Sequence, residues 1–310
     1  MDLSVELCGL RLKNPLMLAS GILGSSMDVL ERMASSGAAA LVTKSISTAP
    51  REGYPGPTVI SPMENVYINA MGLPNPGYRE FFRGYRPSIQ DVPVIPSVFG
   101  STPEEFRTLA GAAEDAGAPA VELNLSCPHS VSGLRVPLIS QSEELTASVV
   151  EAVRESCTLP VAVKLTPNVA DVSSVALAAA RAGASAVVAV NTLQAAEVDP
   201  YLERPVLGNM VGGLSGPALR PVALRKVLDI AAAFERAGVD VPVVGVGGIC
   251  SGEDAARFIL AGCTAVQVGT CLAEDPDAFR RIESELRHYM DEKGYSSPAE
   301  FRGNALRWLR

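Results

Sequence analysis

Two lysines stand at the ends of apolar runs: Lys44 after Leu41-Val42-Thr43, and Lys164 after Val161-Ala162-Val163. Other polar or bare residues stand at matching points. They are Ser20-Gly21, Ser45, Ser97, Asn124 with Cys127 shortly after, Asn191-Thr192, Gly247-Gly248 and Gly269-Thr270. Each type suits a different task. Lysine supplies a cation to an anionic group, but is costly to bury without a negative partner. Asparagine presents an amide donor and an acceptor side by side. A thiol ionises near a reference value of about 8.5, so a modest shift makes it a serviceable base near neutrality. Bare glycines let backbone N–H groups close on phosphate oxygens, and a following helix N-terminus adds a favourable dipole.

Such residues work together only if one architecture gathers the ends of these runs. Four segments repeat a helix end, a glycine and a short strand-like run; their glycines are Gly37, Gly117, Gly183 and Gly262. Glycine is the expected left-handed stop after a helix. Four further runs are announced by Pro15, Pro93, Pro160 and Pro242, since the start of a strand needs no ladder donor. Sorted along the chain the two sets alternate and total eight. Helical patterns at 102–116, 142–156, 171–182, 217–237 and 251–261 separate several of them. The expected fold is α/β, a single (β/α)8 barrel over residues 1–310 with its active face at the C-terminal ends of the strands. A doubly wound open sheet is the alternative, but Ser20-Gly21-Ile22-Leu23-Gly24 is not the G-x-G-x-x-G it would need after its first strand. Two insertions, 45–77 and 191–216, are long enough to form lids or substrate walls. The glycines after the seventh and eighth strands fall where this fold usually holds phosphate, and 212–217 offers a further approach.

Composition narrows the rest. The net charge is −8 with both signs interspersed, so no nucleic-acid partner is expected. None of the six cysteines forms a C-x-x-C pair and there are only two histidines, so neither zinc nor an iron–sulfur cluster is expected. Redox chemistry would then fall to an organic cofactor. Cys8, Cys157, Cys263 and Cys271 read as small buried hydrophobes, and Cys250 as structural. Cys127 differs because it closely follows a strand end and precedes Pro128. No apolar stretch approaches the roughly 20 residues of a membrane span. Nor do the first residues, Met1 to Glu6, carry a basic region ahead of an apolar core. The expected location is the cytoplasm.

Taken together, Lys44-Ser45, Asn69-Ala70-Met71-Gly72-Leu73-Pro74-Asn75, Asn124-Leu125-Ser126-Cys127-Pro128, Lys164-Leu165-Thr166-Pro167-Asn168, Asn191-Thr192 and Gly213-Leu214-Ser215-Gly216-Pro217 resemble class 1 dihydroorotate dehydrogenases, in order and spacing. The resemblance runs from near residue 5 to about residue 290. It implies FMN at the barrel mouth, contacted by Ser20, Lys44, Ser45, Asn124, Lys164, Val190, Gly216, Gly247, Gly248, Gly269 and Thr270. It implies that Lys44, Asn69, Met71, Gly72, Leu73, Asn124, Asn191 and Thr192 hold dihydroorotate or orotate. Cys127 would take the C5 proton while hydride leaves C6 for the flavin, and Lys164 would stabilise the charge that develops near flavin N1. Lys164's burial is then most economically explained by that flavin.

The chain departs from the family pattern in carrying His129 two residues after the cysteine and Ser97 at the third strand end, where asparagine is usual. Class 2 enzymes use serine as base and carry a membrane segment, which Cys127 and the bare N-terminus exclude. Leu214-Ser215-Gly216-Pro217 and Leu165-Thr166-Pro167-Asn168 look more like the NAD-linked, two-subunit subclass. That implies a separate subunit carrying FAD and an iron–sulfur cluster, and a homodimeric core. Cys127-Pro128-His129 also resembles dihydropyrimidine dehydrogenases acting on uracil or thymine, whereas Asn69 to Leu73 looks dihydroorotate-specific. The tRNA dihydrouridine synthases share the barrel and the cysteine, but should show a basic face. A non-catalytic barrel binding a phosphorylated ligand is the reading from outside enzymology.

Overall fold

The structure is a computed structural model and describes residues 1–126, 130–131, 134–135 and 139–309, so Cys127 and His129 lie outside the described residues. Eight parallel strands form the barrel. They are β1 Leu16–Leu18, β2 Ala40–Val42, β3 Val92–Ile95 with its continuation Ser97–Val98, β4 Val121–Asn124, β5 Val161–Leu165, β6 Ala186–Ala189, β7 Val243–Val246 and β8 Cys263–Val268. Hydrogen bonding runs in the order β3, β2, β1, β8, β7, β6, β5, β4 and returns to β3. Closure takes place across Pro96. Before it, Val94 and Ile95 pair with Leu41 and Val42; after it, Ser97 and Val98 pair with Glu122 and Leu123. Proline has no N–H to donate, yet its carbonyl accepts the Glu122 N–H at 2.9 Å.

The helices are α1 Met27–Ser35, α2 Tyr78–Arg83, α3 Pro103–Asp115, α4 Glu143–Arg154, α5 Val172–Arg181, α6 Arg220–Ala237, α7 Gly252–Leu260, α8 Cys271–Glu274 and α9 Ala278–Lys293. Five start at a side-chain cap, with Ser26 accepting from the Val29 N–H at the head of α1. Thr102, Ser142, Asp171 and Ser251 accept N–H bonds from Glu105, Leu145, Ser174 and Asp254 of the first turn, satisfying donors that a helix N-terminus leaves open. The pattern predicted from Pro217 begins as a 3-10 turn, Pro217–Leu219, before α6. All four glycine stops take positive φ, from +75° at Gly117 to +117° at Gly37.

Strand alternation sorts the side chains. Val161, Val163 and Leu165 pack outward with the helices, while Ala162 joins the inner cluster with Met17, Ala40, Val42, Ile95, Ala186, Val188, Val244 and Ala265. Such small residues let eight strands close without a pore. Leu7 and Leu12, from the hairpin Val5–Leu7 and Leu10–Leu12, complete that cluster. The same alternation turns Glu122, Asn124, Lys164 and Gln267 inward, nearer the C-terminal end.

The two insertions meet. Val59–Met63 and Val66–Asn69 come from the first, Leu193–Ala195 and Gly212–Ser215 from the second, and together they form one antiparallel sheet. The seam pairs Tyr67, Ile68 and Asn69 with Ser215, Leu214 and Gly213. Ile68, Ala70 and Leu207 give it a small core of its own. Asn168 pins it to the barrel: its amide donates to the Thr192 carbonyl at 3.1 Å and accepts from the Gln194 N–H at 2.8 Å. No helix among the described residues is long and apolar enough to cross a membrane.

Candidate active site

A cavity of about 420 Å³ lies between the strand ends and this sheet, a size suited to a small molecule or cofactor. Ser20, Lys44, Ser45, Asn69, Met71, Leu73, Asn124, Lys164, Val190, Asn191, Thr192, Gly216, Gly247, Gly248, Gly269 and Thr270 all line it. Gly72 does not. It faces the neighbouring loop at φ +72°, where an added Cβ would come within 2.6 Å of the Tyr54 nitrogen, and its carbonyl accepts from Arg51 Nε at 3.3 Å. Its place is to bend the chain between Met71 and Leu73, not to face the cavity. Cys127 is outside the described residues, but Asn124 and Ser126, which lead to it, are not.

Lys164 has a counter-charge that the sequence reasoning missed. Its Nζ lies 3.7 Å from Glu122 Oε1 and donates to Gln267 Oε1 at 3.0 Å. Gln267 Nε2 in turn donates to Glu122 Oε2 at 2.7 Å. Glu122, Lys164 and Gln267 are 1%, 3% and 2% exposed, so each is costly to bury alone and the three offset one another. The burial of Lys164 therefore needs no cofactor to explain it, which corrects the expectation above. Glu122 sits two residues before Asn124 on β4, so strand alternation with its period of two was the signal that could have revealed it.

Polar residues at the ends of β1 to β4 and of β6 form a connected network. Asn124 donates to Ser45 Oγ at 2.9 Å, and the Ser45 hydroxyl is hydrogen-bonded to those of Ser97 at 2.9 Å and Ser20 at 3.4 Å. The Asn124 carbonyl oxygen accepts from Ser126 Oγ at 2.8 Å and from the Ser126 N–H at 3.3 Å. Asn191 donates to Asn124 Oδ1 at 3.3 Å and to Ser126 Oγ. Ser97 thus belongs to a hydroxyl chain behind Ser45. On the opposite wall, Asn69 donates to the Gly213 carbonyl at 3.3 Å, which fixes its amide against the inter-insertion seam.

Lys44 is the complement of Lys164. It lines the same cavity, and burial lowers the pKa of its ammonium. Among the described residues it makes no ion pair. A half-buried cation facing a cavity without a carboxylate is an anion site in waiting.

At the other end the wall is backbone. An added Cβ on Gly248 would come within 2.7 Å of the Gly216 carbonyl, and one on Gly247 within 2.7 Å of Ala223 Cβ, so side chains are kept out of this part by packing. The segment 212–215 is a strand of the upper sheet rather than a loose loop, leaving Gly216 as its cavity-facing end. Cys271 lines this end too and is half-buried, contrary to its reading as a core residue. Cys157 and Cys263 are buried as expected.

The sequence matches the model of the family described as dihydroorotate dehydrogenase over residues 2–290. The catalytic subunit of dihydroorotate dehydrogenase B (NAD(+)) from Pyrococcus abyssi is 45% identical over 307 residues, covering 98% of this chain and 99% of that protein. The subunit of the same name from Pyrococcus furiosus is also 45% identical, with equal coverage. That from Methanothermobacter thermautotrophicus is 42% identical over 305 residues, covering 98% of both. With both measures spanning nearly the whole barrel, the chain belongs to the dihydroorotate dehydrogenase family.

Proposed function

We propose that this chain is the catalytic subunit of an NAD-linked dihydroorotate dehydrogenase, oxidising dihydroorotate to orotate with FMN in pyrimidine synthesis. The observation that carries this reading is Lys44. An uncharged dihydropyrimidine would leave its ammonium unpaired, whereas dihydroorotate brings a carboxylate to it. Around that anchor, Asn69, Asn124 and Asn191 present amides whose donors and acceptors match the edges of a flat pyrimidine ring. Uracil or thymine as substrate has no such argument behind it.

The cavity fits FMN. Its backbone wall at Gly216, Gly247, Gly248, Gly269 and Thr270 suits a phosphate, and its deeper part runs past Lys164, Ser20, Ser45, Asn124 and Val190. Bound there, the flavin would supply two-electron redox chemistry that no side chain offers. The protein's share is positional. Lys44 holds the substrate carboxylate, and the asparagines orient the ring. Cys127 takes the C5 proton, and Lys164, held by Glu122 and Gln267, places positive charge beside the cofactor. The reading extends to a partner subunit carrying FAD and an iron–sulfur cluster, a homodimeric core, a cytoplasmic location, and one domain over residues 1–310.

The test is the visible spectrum of the purified chain before and after anaerobic addition of substrate. Dihydroorotate should bleach a flavin band; dihydrouracil at the same concentration should not. A colourless protein that takes up no FMN would overturn the assignment, and preferential bleaching by dihydrouracil would move it to the other substrate class. Alone, the chain should reduce dyes but not NAD. For Lys44→Met we expect orotate to bind ~10- to 150-fold more weakly by titration of the flavin spectrum, the loss of one charge-assisted contact of about 1.5–3 kcal/mol. Because burial lowers its pKa, Lys44 loses its proton at a lower pH than an exposed lysine. Orotate affinity should therefore fall on the alkaline side, and in Lys44→Met that fall should vanish.

A further inference from the structure

We propose that Cys250 and Cys271 form an oxidisable dithiol, converted to a disulfide by small hydroperoxides at the glycine-walled end of the cavity. The two lie on neighbouring turns: Cys250 is two residues after Gly248 in the β7–α7 turn, and Cys271 follows Thr270 and opens α8. Both are half-buried and free. The Cys271 thiol donates to the Cys250 carbonyl oxygen at 3.9 Å, and the two thiols lie close enough to shift each other's ionisation.

Arg281 on α9 spans the pair. It donates from Nη1 to the Cys250 carbonyl at 3.0 Å, and its Nη2 lies 4.0 Å from the Cys271 sulfur. Asp275 and Glu285 hold the guanidinium in place, at 3.0 and 3.1 Å. The Cys250 N–H is bonded to Asp254 Oδ2 at 3.0 Å, so that carboxylate is beside Cys250 and not Cys271. Arg281 draws both thiols down and each has a carboxylate pushing it up, Asp254 at Cys250 and Asp275 at Cys271. What separates them is the hydrogen bond between the two sulfurs and the closer approach of Arg281 Nη2 to Cys271. The hydrogen bond from Cys250, together with the Arg281 charge, lowers the Cys271 thiol to about 7 against desolvation. The contact with Cys271, burial and Asp254 push Cys250 up. One sulfur is the nucleophile and the other the resolving thiol.

The chemistry balances. The Cys271 thiolate attacks one oxygen of the hydroperoxide, the O–O bond breaks, and the departing oxygen leaves as water or an alcohol after taking a proton. The product is a sulfenic acid on Cys271. The Cys250 sulfur then attacks the Cys271 sulfur, loses its proton, and expels the sulfenic oxygen as water. Two thiols lose two electrons and the peroxide gains them. The resulting bond ties the β7–α7 turn to the start of α8 across the cavity wall. A lowered thiol holds more thiolate at neutral pH than an ordinary cysteine, and its lower intrinsic nucleophilicity offsets part of that gain.

The experiment is limited oxidation of the full chain with one equivalent of hydrogen peroxide at pH 7, followed by alkylation and peptide mass mapping. A Cys250–Cys271 linked peptide, two hydrogens lighter than the reduced pair and restored by dithiothreitol, is the expected product. Site-specific mapping keeps Cys127 from confusing the readout. In Cys250→Ser, dimedone should trap the sulfenic acid on Cys271; in Cys271→Ser, Cys250 should remain unmodified. The proposal is overturned if Cys271 in the unaltered chain reacts no faster than Cys8, or if its sulfenic acid accumulates without the link. Because the first arm uses no variant, misfolding of either mutant leaves the result decisive.

Discussion

Replacing Cys127 with alanine should leave a yellow protein whose flavin bleaches on dihydroorotate about 10²- to 10⁴-fold more slowly than in the unaltered chain, the usual contribution of a positioned general base. Loss of the base removes proton transfer while the described residues that line the cavity are unaltered, so orotate affinity and flavin content should change little. Both the N–H and the hydroxyl of Ser126 bond to Asn124 Oδ1, and Asn191 bonds to both residues. Ser126, the last described residue before Cys127, is thereby tied to two of the asparagines that line the cavity. Stopped-flow reduction without oxygen measures the effect directly. Bleaching at the normal rate would remove Cys127 from the mechanism while leaving the cofactor assignment intact.

Removing Glu122 should be as costly to the fold as removing Cys127 is to the reaction. Glu122→Ala strands the Lys164 ammonium in the barrel interior, where both are nearly inaccessible, and breaking a buried pair from one side costs about 3–5 kcal/mol. Urea denaturation should show a loss of that order. Adding Lys164→Met to the same chain should restore much of it, because the stranded charge is gone. Additive losses in the double variant would mean that the 3.7 Å contact holds nothing. The milder Glu122→Gln keeps a partner for Gln267 but not the charge. In that variant the flavin should become easier to reduce, with a midpoint potential shifted upward, since a negative charge near it has been removed.

Much of the barrel was legible in the chain because its signals are local. Glycine after a helix, proline before a strand, and Thr102, Ser142, Asp171 or Ser251 ahead of helical patterns each act over a few residues. Local geometry is what such residues dictate. The gathering of Lys44, Asn124, Lys164 and Asn191 on one face followed as soon as eight strand–helix units were counted, since a closed parallel barrel brings all strand ends to one rim.

The partners of those residues were not legible, because they depend on contacts between distant segments. Glu122 and Gln267, 145 positions apart, meet only through barrel closure. Lys164 thereby acquires a carboxylate that no reading of its own strand supplied. The insertions at 45–77 and 191–216 looked like separate loops, and their seam at Asn69 and Gly213 is long-range strand pairing that sequence periodicity does not encode. The same holds for Cys250 and Cys271: single cysteines in sequence, they become a pair where two neighbouring turns converge. The chain by itself determined that lysines, asparagines and glycines would share one rim. Only the tertiary structure decided that Lys164 is paired with a carboxylate within the protein while Lys44 is left facing the cavity, because charge compensation is a property of three-dimensional proximity.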